Sequence, residues 1–160
     1  MGCTRVAERV CAAVGLLAEA PSQFESAESV THGGVLWALP ALLANGLLPP
    51  ARVGFTMPKG FYSLIHVFLL LGYMALARIK TLEQLQYHPA GEWGKLLGLD
   101  RIPEVRTIRD KVKGLAVAAV VGAWSQVLSH AWMAQDAEAA GVLYVDGHVR
   151  VYHGTLTKLP

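Results

Sequence analysis

The chain has 160 residues, about one domain's length. It is 53% hydrophobic with a mean hydropathy of +0.37, which excludes disorder over most of its length and any need for a small disulfide-stapled fold. Fourteen Lys and Arg against 12 Asp and Glu leave a formal charge of +2, too little to mark a nucleic-acid binder, so a basic surface has to come from local clustering. The two cysteines, Cys3 and Cys11, fit neither a zinc site nor a secretory framework and point to a reduced, cytoplasmic setting.

In chain order, MGCTRVAERVCAAVGLLAEA reads as an amphipathic helix. Glu8 and Glu19 bracket its apolar patch and no small-residue cleavage site follows, against a signal peptide. Val6 stands where an acylation start needs Ser or Thr. Residues Pro21 to Gly34 have no apolar period and read as a linker. A helix is expected through VLWALPALLANGLL, stopped by Asn45-Gly46 and closed by Pro49-Pro50. Ala51 to Gly60 is loop.

The stretch FYSLIHVFLLLGYMALAR, Phe61 to Arg78, is almost wholly apolar: a helix buried on most of its surface, or one crossing a bilayer. A span wants about 20 apolar residues, whereas Lys59 and Arg78 enclose about 18 with His66 inside. A core helix is therefore expected for Phe61 to Ala77 and no membrane partner, with a small membrane protein as the rival reading. A third apolar helix is expected from about Gly114 to Ala134. His66 and His130 lie within these apolar segments and read as core or groove residues rather than metal ligands.

Between Leu82 and Leu115 short helical pieces alternate with tight turns, the pattern of a helix-turn-helix. Glu92 to Leu97 makes the first helix, Gly98-Leu99-Asp100 the turn, and Pro103 is expected in the first turn of a second helix reaching Leu115. On that helix Val105, Ile108, Val112 and Leu115 recur at spacings of three, four and three and form one apolar stripe. From 101 to 113 five cations, Arg101, Arg106, Arg109, Lys111 and Lys113, face two anions, Glu104 and Asp110, for a local charge of +3. Such a helix fits a major groove, with Arg on guanine edges or phosphates. The same residues also fit an ordinary charged surface.

After Gly141 the period becomes alternating in VLYVDGHVRVYHG, which predicts a β-hairpin with a strand from about Val142 and a return strand at Val149 to Tyr152. Asp146-Gly147 is a turn dipeptide, so by pattern Asp146 either shapes a turn or carries chemistry. The runs GEWGKLLGLDRIPEVRTIRDKVKGLA and VLYVDGHVRVYHGTLTKLP together resemble insertion-sequence transposases with a DDE, RNase H-like catalytic domain, and more diffusely so does the apolar half from Gly33.

The resemblance implies DNA, specifically transposon ends, as partner, and self-association or pairing with a full-length transposase. It makes Asp146 the first catalytic acid and a Mg2+ ligand. Phosphodiester transfer uses two hard cations roughly 3.5–4 Å apart, held by carboxylates. No Asp or Glu follows Asp146, so the second and third acids are missing. This chain alone is expected to be an inactive N-terminal part of such an enzyme that binds no metal, or a non-catalytic DNA-binding regulator of transposition. The expected fold is mainly α, a helical bundle with a helix-turn-helix-like segment ending in a short β-hairpin. Its expected parts are an N-terminal helix and linker (1–32), a helical DNA-binding region (33–138) and the start of a truncated RNase H-like domain (139–160).

Overall fold

The computed structural model describes residues 4–140. Seven α-helices follow one another: α1 Val6–Ala13, α2 Leu39–Ala44, α3 Leu64–Leu76, α4 Ala90–Lys95, α5 Val105–Leu115, α6 Ala118–Gln135 and α7 Ala137–Ala140. Three 3-10 turns, Gly33–Ala38, Ala51–Val53 and Leu82–Tyr87, join them. The expected fold is corrected on one point. The helical class holds, but the described residues contain no strand, and the segment expected to form the β-hairpin lies outside them.

The centre of the fold is α3. Its apolar residues leave no polar face, so the helix is stable only when surrounded. Val67, Leu70, Tyr73 and Met74 are all buried, and Leu70 is completely so. The helix starts at Leu64 rather than Phe61 because Ser63 caps it. The Ser63 hydroxyl accepts from the His66 backbone N–H, and the Ser63 N–H donates to His66 Nδ1 at 3.1 Å. At its end Arg78 turns left-handed (φ 58°), which lets the Arg78 N–H reach Ala75 O and the Ile79 N–H reach Met74 O. No single helix among the described residues is long and apolar enough to cross a membrane.

The other elements cover most of this helix, leaving Ile65 and Leu76 partly in solvent. Trp93 of α4, Leu96, Leu97, Leu99, Ile102 and Ile108 of α5 fill one side of a shared core. The stretch expected as one helix from Val35 to Leu48 is a 3-10 turn running into α2, and it ends at Asn45-Gly46 as the residues require: the Gly46 N–H donates to Leu43 O and the Leu47 N–H to Leu42 O. α6 begins at Ala118 rather than Gly114, since α5 continues to Leu115. It docks through Trp124, whose ring stands edge-on to Phe55 and Phe68 at 5.6 and 5.1 Å, and through the Trp132 indole N–H on Asn45 O at 3.2 Å.

The N-terminal segment joins the same core with its charges inward. On α1 the outward residues are Val6 and Val10, both more than half exposed, while Arg5 and Arg9 turn in towards Phe61. Residues 21–29 are exposed and carry no regular element. They are nevertheless tied down: the Ser22 hydroxyl donates to Leu97 O at 2.8 Å and the Gln23 N–H to Gly98 O at 2.7 Å.

Candidate nucleic-acid interface

α5 separates its residues by chemistry. Ile108 and Leu115 are buried and Val105 and Val112 pack against the core, while Arg106, Thr107, Arg109, Asp110 and Lys113 face outward. The apolar stripe holds the helix on α3 and on the Leu82–Tyr87 turn, so its outer face is presented by a rigid support rather than by a loop. The helix starts two residues beyond Pro103, with Glu104 as its extended N-cap. Ile102 is buried and its N–H donates to Ala90 O at 3.0 Å, so the chain must leave that anchorage before it can coil.

The five cations expected to touch DNA occupy four different environments. Arg106 and Lys113 are exposed and have no ion-pair partner among the described residues. Arg109 is half exposed and donates through Nη2 and Nε to Glu83 Oε1, at 2.6 and 3.2 Å. Lys111 turns inward: Nζ donates to Tyr62 O at 3.2 Å and lies 3.7 Å from Met57 Sδ, and burial lowers its pKa. Arg101 sits at the core's edge, 3.8 Å from Glu104, with its backbone carbonyl accepting from the Tyr62 hydroxyl. The structure thus brings Arg106, Arg109 and Lys113 onto one outer face and sets Arg101 and Lys111 apart from it.

The Gly94-Lys95-Leu96-Leu97-Gly98-Leu99-Asp100-Arg101 run is a socket. A Cβ on Gly94 would lie 2.5 Å from Arg101 Cα and 2.8 Å from Leu99 O, so the backbone passes where a side chain would be. Gly98 is left-handed (φ 67°), and a Cβ there would meet Gln23 N at 2.8 Å. Asp100 receives the N-terminal arm: Arg9 Nη2 lies 2.6 Å from Oδ1 and the Thr4 N–H donates to Oδ2 at 3.2 Å. Burial pushes the Asp100 carboxyl up, but the hydrogen bond and charge of Arg9 outweigh it and hold the pKa below the usual value. The Arg9 guanidinium lies 3.8 Å over the Phe61 ring and also donates to the Tyr62 hydroxyl.

A second, partly buried polar chain supports the socket. With Nδ1 accepting from the Ser63 N–H, His66 carries its proton on Nε2 and points it at the Ser22 hydroxyl, 3.3 Å away, which in turn donates to Leu97 O. Burial lowers the His66 pKa, Glu19 pulls it up and Arg5 lowers it further. Neither Arg9 nor Glu83 was singled out from the sequence, because their partners lie 91 and 26 residues away and no local spacing links them.

The described residues do not fit a magnesium site. No three His, Cys, Asp or Glu side chains gather among them. Glu8, Glu83, Glu92, Asp100 and Glu104 are each engaged by a neighbouring Arg or Lys. Asp146, the residue assigned to catalysis and metal, lies outside the described residues. A groove of about 600 Å³ between the N-terminal arm and α4 includes Arg5 and Lys95, whose charges are already met by Glu8 and Glu92. No curated protein and no solved structure matches the chain. A family model described as "Transposase protein" matches residues 1–160. The chain belongs to that transposase family.

Proposed function

We propose that this chain contributes DNA recognition to a transposase, and that α5 is its contact element, with Arg106, Arg109 and Lys113 on the phosphate backbone or on base edges. The observation that carries the reading is the segregation on α5: the stripe ending at Ile108 and Leu115 is buried while these three cations face outward. Membership in a transposase family supports DNA as the polyanion. A helix fits the major groove, and guanidinium groups match both phosphate and guanine geometry. Lys111 is left out of the proposal because its side chain turns into the fold, and Arg101 because it precedes α5.

Binding of a labelled mixed-sequence duplex by the 160-residue chain tests this. Arg106→Ala with Lys113→Ala should weaken binding, and the slope of log affinity against log salt should fall by roughly 0.9 for each lost phosphate contact. Unchanged affinity and slope in a variant that keeps its helical circular dichroism would place DNA binding elsewhere. Mg2+-dependent cleavage and strand transfer by a DDE-type, RNase H-like domain, with Asp146 as its first acid, enters the proposal on the support of the Tyr144 to His148 run alone.

A further inference from the structure

α5 carries its counter-anion on a neighbouring element. Glu83 stands in the Leu82–Tyr87 turn, which packs against α5 with Leu85 buried beneath it. The start of that turn is clamped, because the Lys80 and Thr81 N–H groups both donate to Gln84 Oε1, at 2.7 and 3.3 Å. This platform sets Glu83 Oε1 2.6 Å from Arg109 Nη2, with the two side chains 54% and 53% exposed.

The pair is built differently from the buried Arg9–Asp100 pair. Both Arg109 donors converge on a single carboxylate oxygen, so the planar fork is not matched oxygen for nitrogen. Arg109 Nη1 has no partner among the described residues. The pair also lies in solvent, where salt screens it. A phosphodiester offers two non-bridging oxygens to the same fork and releases condensed counterions when it is neutralised, so it can replace the carboxylate.

We propose that Glu83 is a resident phosphate surrogate. In the free protein it holds Arg109 against the Leu82–Tyr87 turn, and DNA phosphate displaces it when α5 docks. Glu83 therefore sets a threshold: Arg109 is withheld from weak anions and surrendered to a polyanion. This rests on α5 being the DNA contact.

The test is a double-mutant cycle on the 160-residue chain with the same labelled duplex, comparing wild type, Glu83→Gln, Arg109→Ala and the double variant. Glu83→Gln should tighten binding by roughly threefold to tenfold at low salt, as removal of a rim charge that opposes the partner does. In the Arg109→Ala background most of that gain should disappear. An equal gain in both backgrounds means that Glu83 acts only through net charge, and no gain, or weaker binding, overturns the surrogate role outright. Should Glu83→Gln lose its helical signal, Glu83→Ala provides the same comparison. The Arg106→Ala, Lys113→Ala variant separates the two proposals: if it weakens binding while Glu83→Gln does nothing, only the surrogate fails, and if it too binds normally, the α5 reading fails.

Discussion

The Gly94–Arg101 socket and the outer face of α5 lie a few residues apart in the chain, and both are studded with charge, yet they use it in opposite ways. At the socket Asp100 is almost fully buried, its side chain 4% exposed, and its negative charge is met by Arg9, whose guanidinium lies over the Phe61 ring. On the outer face of α5 Arg106, Arg109 and Lys113 are exposed, and Glu83, which among the described residues meets Arg109, is itself half exposed. A buried ion pair whose partner is removed leaves an uncompensated charge in a poor solvent, whereas an exposed charge is cheap to remove or to exchange. The first region therefore holds the fold together, and the second is free to be spent on a ligand.

The contrast can be broken most forcefully at Gly94. Gly94→Val would drive a side chain into the Arg101 and Leu99 backbone, which cannot retreat as a flexible side chain would. A loss of about 3 kcal/mol or more is expected, read as a collapse of the urea midpoint. A midpoint within error of wild type would show that the turn is loose.

Asp100→Ala comes next, at about 3 kcal/mol, since it strands the Arg9 guanidinium. Asp100 also has a pH signature. Its folded pKa is held below the ordinary carboxylate value, so its contribution is whole above about pH 4 and is lost as the pH falls through the folded value. Thermal melts of wild type and variant should converge at the acid end of that range, and parallel curves would contradict the assignment.

His66 gives a smaller effect in a different window. Its folded pKa is lowered, so the unfolded chain takes up the proton first; its contribution is whole above about pH 6.5 and drains as the pH falls below that. Wild-type stability should decline by at most about 1.4 kcal/mol per pH unit there. His66→Gln should be less stable at neutral pH, and its profile should be flatter between the two imidazole values. Equal slopes would mean that His66 is not the group being titrated.

The smallest change in stability is expected on α5. Arg106→Ala and Lys113→Ala together should shift the unfolding free energy by no more than about 0.5 kcal/mol, while DNA affinity falls. A large loss of stability in that variant would place these side chains in the fold's own support and erase the distinction between the two regions.

Several features were determined by the sequence alone, because they depend on local physics. The 105, 108, 112, 115 spacing defined the inward stripe of α5, since helical periodicity is set by the backbone. The apolar run around Leu70 required burial on most of its surface, and Asn45-Gly46 supplied the stop that α2 uses. Tertiary structure decided the rest. The count of five cations between 101 and 113 could not tell that Lys111 turns in to Tyr62 O, or that Arg109 meets Glu83, because both partners come from other elements. The Gly-Lys-Leu-Leu-Gly-Leu-Asp-Arg run carried a resemblance to transposases, but its chemistry became visible only when residues 4–24 folded back onto it. Asp100 could as well have been a surface turn residue until Arg9, 91 positions earlier, supplied the counter-charge. Long-range pairings of this kind leave no period in the chain, since neither residue's neighbours encode the other's position.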